Sequence, residues 1–192
     1  AQLDVTPSVS EVDSLFTTLS ANNGFGPNGG VVFDITTSKQ LSLQRFKMNI
    51  DAGATQAKVY YKVGGYGNAN VTSTAGWIQL GSTINIVPAG IGNLTNIPLT
   101  AFLSVPAGAT YGIIVTTDGN TNYTNGTAVG NVFASNPDMS IKEGHGGSGF
   151  NGVFNFINSP RVFNGEITYQ VSNTPYTVQW SPNTNMNNAF IT

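Results

Sequence analysis

The sequence predicts an all-β fold, a jelly-roll-like β-sandwich of antiparallel strands with an extension strand at each end. Three observations carry this. Apolar residues recur with period 2 in short runs. Gly, Pro, Asn and Asp punctuate the runs at short intervals. No internal repeat, coiled-coil heptad or linker interrupts them. At 192 residues the chain suits one β domain with a substantial core and no need of metals or disulfides.

The elements follow in order. Leu3 and Val5 alternate with Gln2 and Asp4 as an extension strand. Behind Thr6-Pro7, Ser8-x-x-Glu11 is a capping-box pattern and predicts a helical turn over 8–14. The β-branched, Thr-rich stretch after it predicts a strand from Leu15 onward. Phe46, Met48 and Ile50 form one apolar face, while Leu41 and Leu43 have the opposite parity, which predicts a bulge near Gln44. After the Asp51-Ala52-Gly53 turn, Val59, Tyr61 and Val63 point inward and Lys58, Tyr60 and Lys62 outward. A glycine-rich loop at 64–67 follows, then a short strand marked by Ile78 and Leu80 after Trp77.

Tyr111, Ile113 and Val115 alternate between the turns at Pro106-Ala107-Gly108 and Asp118-Gly119. Val132 with Ala134, and Met139 with Ile141, flank an Asn136-Pro137 turn. Phe163, Ile167 and Tyr169 define another strand, with Gly165 between them. Tyr176, Val178 and Trp180 alternate with Thr177 and Gln179 as a second extension strand. The expected organisation is an extension at 1–14, a sandwich at 15–169 and an extension at 170–192.

Composition narrows function mainly by exclusion. Only 8% of residues are charged, against about 25% in average domains, and polarity comes instead from Asn, Thr, Ser, Gln and 23 glycines. A net charge of −2 with seven basic residues offers no footprint for nucleic acid or anionic lipid. Cysteine is absent, which excludes thiolate catalysis and cysteine-based zinc sites. No apolar run approaches the ~18 residues of a membrane span. The start at Ala1-Gln2, without Met, reads as a mature secreted product. Four Asn-x-Ser/Thr sequons, at Asn70, Asn93, Asn122 and Asn125, are expected by chance in so Asn- and Thr-rich a chain.

Several phrases, in this order and spacing, carry a resemblance. They are GVVFDI at 30–35, FKMNIDAG at 46–53, VYYKVGGY at 59–66, GWIQLG at 76–81 and VPAGATYG at 105–112. YTNG at 123–126, ASNPD at 134–138, Glu143-Gly144 and PRVFNG at 160–165 continue the series. Together they resemble a recurrent β-sandwich domain of secreted and cell-surface proteins of Bacteroidetes and related marine bacteria. The resemblance covers Leu15 to Tyr169 and implies the fold and an extracellular setting. It implies no defined activity.

Candidate chemistry is sparse. The one histidine, His145, lies in GHGGSG at 144–149, similar to an esterase oxyanion loop, but no Gly-x-Ser-x-Gly elbow accompanies it. A flexible surface loop is the expectation. Nine carboxylates allow a chance glycosidase-like pair such as Asp138 and Glu143, although most lie where Asp caps turns. Asp118-Gly-Asn-Thr-Asn122 places oxygens at alternate positions but lacks the Gly and Glu of an EF-hand loop, so structural calcium stays open and unassigned. Tyr60, Tyr66, Trp77 and Tyr123 are expected outward and are the candidates for stacking on sugar rings. Cross-strand packing is the competing explanation for them.

The expected function is a non-catalytic extracellular structural protein. It would be a subunit of a filament, sheath or surface layer, joined to copies of itself through Leu3, Val5, Tyr176, Val178 and Trp180. The alternative is an adhesive or carbohydrate-binding module bound to surface polysaccharide. Neither reading calls for a cofactor, nucleic acid or membrane insertion.

Overall fold

The computed structural model describes residues 12–172. Among them there is no helix, and every paired strand is antiparallel. The strands are β1 (Val12–Phe16), β2 (Asn23–Phe25), β3 (Gly29–Thr37), β4 (Leu41–Asn49), β5 (Gln56–Val63), β6 (Ile78–Gln79), β7 (Ile84–Asn85) and β8 (Leu94–Val105). They continue with β9 (Thr110–Thr117), β10 (Thr121–Asn125), β11 (Val132–Ser135), β12 (Met139–Lys142), β13 (Gly144–Ser148), β14 (Asn155–Phe163) and β15 (Gly165–Val171).

The small sheet runs β1-β15-β4-β8, and the large one β2-β10-β14-β13-β3-β9-β5-β6. The sets β1-β15-β4-β8 and β3-β9-β5-β6 have the strand order of a jelly roll, so the predicted fold class is observed. The segment between β9 and β15 supplies β10 to β14, which widen the large sheet beyond β3.

The core lies between the sheets, and period-2 alternation explains its membership. Phe33 and Ile35 of β3, Phe46 and Met48 of β4, Val59 of β5 and Ile113 and Val115 of β9 are all fully buried. Leu41 and Leu43 join the same core because register shifts between Leu43 and Arg45 against β8, and between Thr168 and Tyr169 against β15. The bulge predicted near Gln44 reconciles the two parities.

Phe163 stacks on Phe33 with ring centroids 4.7 Å apart and meets Phe46 edge-on at 6.4 Å. It closes β14 in the large sheet just before the chain crosses through Asn164 to β15 in the small one. The Thr17 hydroxyl sits between the Phe163 and Gly165 carbonyl oxygens and accepts the Gly165 N–H at 3.1 Å. Only glycine fits at 165, since a Cβ there would collide with the Lys47 carbonyl and the Phe163 ring.

Two expectations need correction at the chain ends. Residues 12–14 are strand, not helical turn, because Val12 to Phe16 complete the small sheet by pairing with Gln170 to Glu166. Ladder bonds and burial of Leu15 outweigh a local capping pattern. Residues 17–22 are not strand, so the strand expected from Leu15 onward ends at Phe16. The sandwich therefore reaches into both expected extensions. Leu3, Val5, Tyr176, Val178 and Trp180 lie outside the described residues.

Replacing Phe163 by Ala removes the ring that joins both sheets. It is expected to destabilise the fold by about 3–5 kcal/mol, read as a lower urea midpoint with an unchanged m-value.

Candidate functional site

The outer face of the large sheet is covered by its own loops. β3, β9 and β5 direct Val32, Ile114 and Tyr60 away from the main core, yet all three are buried. Two connections close over them. Residues 64–77, between β5 and β6, bring Tyr66, Val71 and Trp77, and the β13–β14 connection with the start of β14 brings Phe154 and Phe156. The two are tied by paired backbone bonds, Val71 N–H to Phe156 O at 3.1 Å and Phe156 N–H to Val71 O at 3.0 Å. Phe154 meets the edges of Tyr60, Trp77 and Phe156 at centroid distances of 5.1, 6.3 and 5.9 Å. The result is a second apolar cluster.

Tyr66 anchors the 64–77 connection at its start. Its N–H donates to Asp34 Oδ1 at 3.1 Å, and its hydroxyl hydrogen-bonds His145 Nδ1 at 3.1 Å. Gly64 and Gly65, at φ +84° and +83°, make the bend that delivers it. Burial pushes the Asp34 carboxyl above its ordinary value, against the opposing Tyr66 N–H bond and the charges of Lys142 and Lys62. Burial likewise raises the Tyr66 hydroxyl, and nearby Asp34 adds to this. His145 is pushed the other way, below the ordinary 6.5, because burial disfavours its cation.

Where the 64–77 connection meets solvent it leaves a cleft of about 150 Å³ lined by Lys62, Tyr66, Asn70, Val71, Thr72, Ser73, Ala75 and Trp77. Trp77 is half-buried, while Asn70, Thr72 and Ser73 are exposed. The indole lies over Gly112, whose missing Cβ leaves room for the ring. The cleft thus combines an aromatic surface, one ammonium group and hydroxyl and amide groups, the donor and acceptor set of a polar ligand site.

Of the four aromatics expected to point outward, Trp77 alone keeps a substantial exposed surface. Tyr60, Tyr66 and Tyr123 are only 9%, 7% and 1% exposed, which corrects the outward placement of all three. The parity of Tyr60 is right, but its face of the sheet is roofed over. Tyr123 packs across Gly146, where a Cβ would meet its ring, with the Arg161 guanidinium 5.4 Å from the ring centroid.

His145 is not in a surface loop. Residues 144–148 form β13 between β14 and β3, and their glycines permit close packing between sheet neighbours. The carboxylates considered for catalysis are engaged within the fold. Glu143 accepts the N–H groups of Thr127 and Ala128 at 2.5 and 2.9 Å, and Asp138 pairs with Lys39 at 2.6 Å and accepts the Tyr169 hydroxyl at 3.2 Å. Asp118 accepts the N–H groups of Thr55 and Gln56 at 2.8 and 3.0 Å and the Thr55 hydroxyl at 2.5 Å. Burial opposes its charge, but those bonds outweigh it and hold the carboxyl below its usual value. Among the described residues no three His, Cys, Asp or Glu side chains group as metal ligands, and no helix is long and apolar enough to cross a membrane.

A second, open concavity of about 250 Å³ lies on the outer face of the small sheet. Strand register sets Ser14, Thr168 and Arg45 in one row and Phe16, Glu166 and Lys47 in the next. Lys47 pairs with Glu166 at 2.7 Å, so two of the opposite charges there neutralise each other.

No family model matches the chain, and no curated protein matches it. Among solved structures, it is similar to the cysteine protease and lectin-like domains of Cwp84, a surface layer associated protein of Clostridium difficile. That likeness has a TM-score of 0.50 at 14% identity, over 88% of this chain and 38% of the other. A Clostridial Cwp84 cysteine protease after propeptide cleavage gives a TM-score of 0.48 at 15% identity, over 84% of this chain and 40% of that one. The chain therefore spans well under half the length of these neighbours. At such identity the likeness shows the fold, and this chain contains no cysteine.

His145 is the chain's one histidine, which makes its effect separable. Its depressed pKa means that the unfolded chain binds the proton more readily than the folded one. Stability is expected to be complete above about pH 6.5 and to fall as pH drops toward the lower folded value. Thermal unfolding of the wild type and of His145→Gln between pH 5 and 8 should show that slope in the wild type and flatten it in the variant.

Proposed function

We propose that this chain is a non-catalytic binding domain displayed at a bacterial cell surface, and that the Trp77 cleft takes carbohydrate. The observation that carries this reading is the half-buried indole set beside exposed Asn70, Thr72 and Ser73 and the Lys62 side chain. The apolar face of a sugar ring packs on an indole while its hydroxyls exchange bonds with amides and hydroxyls. The cleft is smaller than the ~300–1,000 Å³ of pockets for drug-sized ligands, which suits one ring of a longer chain lying across it.

Two further observations support the reading. One fold neighbour is described as having a lectin-like domain and as surface layer associated. The absence of catalysis is supported by Asp118, Asp138 and Glu143, which are committed to holding turns and strands together.

The test is binding to a glycan array, followed by calorimetry on each polysaccharide that scores. Trp77→Ala is expected to weaken binding at least about tenfold, the loss of one aromatic stacking contact, without lowering the unfolding temperature to match. Unchanged affinity in that variant, or no binding to any polysaccharide, would remove the carbohydrate assignment.

A second reading, a subunit of a filament, sheath or surface layer, is favoured by β1. It is an edge strand of the small sheet with Val12 and Phe16 64% and 46% exposed, an edge open to another strand. On this reading, removing residues 173–192 abolishes assembly seen by electron microscopy and sedimentation. Assembly that survives the deletion leaves the terminal-strand mechanism without support.

A further inference from the structure

One row of the large sheet sets the charge of the Trp77 cleft. Lys62 of β5, Gly112 of β9 and Asp34 of β3 lie side by side in register. Gly112 has no side chain, and the tip of the indole fills the space above it, where a Cβ would come within 3.0 Å of Trp77 Cη2. The aromatic surface therefore rests over the gap between the lysine and the carboxylate. Asp34 does not line the cleft. It is 6% exposed, accepts the Tyr66 N–H at 3.1 Å and lies under Gly65, where a Cβ would meet its oxygens at 3.0 and 3.2 Å.

Lys62 does line it, and its position is held. The half-buried side chain runs against Gly76, where a Cβ would lie 3.5 Å from Cε and 4.0 Å from Nζ. The ammonium is thereby kept beside the residue that precedes Trp77. The chain has only seven basic residues, and most are engaged elsewhere. Lys39 and Lys47 pair with Asp138 and Glu166, and Lys58 donates to the Phe150 carbonyl at 2.8 Å. Lys62 forms no ion pair among the described residues. Its charge acts on Asp34, but so does that of Lys142, so two ammonium groups share one buried carboxylate. The local balance is positive, and none of the residues lining the cleft is acidic.

We propose that the Trp77 cleft selects an anionic polysaccharide, one sugar ring lying on the indole while its carboxylate or sulfate group meets Lys62 Nζ. This inference rests on the carbohydrate reading of the same cleft and names the class of sugar. An ammonium group has three donors and no acceptor, so it complements an oxygen that only accepts. Its bond to an anionic oxygen is about twice as strong as a bond between neutral groups. An anionic ligand meets no opposing carboxylate in the cleft, and the exposed Asn70, Thr72 and Ser73 remain for the uncharged hydroxyls of the ring. The whole chain carries a net charge of −2, so the preference comes from Lys62 locally and not from long-range attraction.

The test compares, by calorimetry, polygalacturonate with its fully methyl-esterified form, which keeps the ring and removes the charge. Dextran sulfate and dextran make the same comparison for a sulfate ester. The charged member of at least one pair is expected to bind about tenfold or more tightly than its neutral counterpart, the effect of one charge-assisted bond. The pair that shows it tells carboxylate from sulfate. Lys62→Gln should abolish the preference and leave affinity for the neutral member unchanged, while Lys62→Arg should keep it. The wild-type comparison does not depend on how either variant folds. Trp77-dependent binding with no preference for charged members, or a preference that survives Lys62→Gln, overturns this inference and leaves the carbohydrate reading standing. Absence of binding to every polymer removes both.

Discussion

The rest of the structure depends on a constraint set by β3, which is buried on both faces. Antiparallel sheets commonly leave one face to water, and then polar side chains alternate along the strand. Here Val31, Phe33 and Ile35 enter the main core while Val32 and Asp34 point the other way and are also buried. The outer face is therefore roofed, and the chain's own segments do it. The 64–77 and 149–156 segments supply the roof, and the Trp77 cleft is the seam where it meets solvent. The candidate site is a consequence of how the sheet is covered.

Much of the sandwich was legible because alternation reports on strands directly. The bulge at Gln44 followed from the opposed parities of Leu41–Leu43 and Phe46–Ile50, and the register shifts sit there. What alternation cannot report is what lies above the outward face. Tyr60 has the parity of a surface residue and the environment of a core residue, because its cover comes from loops with no periodicity of their own. Tyr66 belongs to that cover itself, and Tyr123 is buried against Gly146 of β13 with the Arg161 guanidinium near its ring, pairings that follow from topology alone. Trp77, half-buried against the same cluster, still reaches solvent.

Residues 144–149 fail differently. Glycine-rich runs suggest mobile loops, but the lack of side chains also lets strands and rings approach unusually closely. At Gly144 a Cβ would strike the Val32 carbonyl, and at Gly146 the Tyr123 ring. The Met139 and Ile141 alternation stops just before the run, and the run's own lack of apolar side chains leaves no periodicity to report β13. Asp118 is the converse case: the motif was visible, but its partners, Thr55 and Gln56, are distant in sequence and follow from topology alone.

The pairing of β1 with β15 sets how the domain carries load. Val12 pairs with Gln170 and Phe16 with Glu166, so the polypeptide enters and leaves at the same end of one antiparallel ladder. Tension applied through these two points acts across the hydrogen bonds rather than along the strands. The rungs separate in succession from Val12–Gln170 inward, as a zipper does, and each step has to break only a single rung.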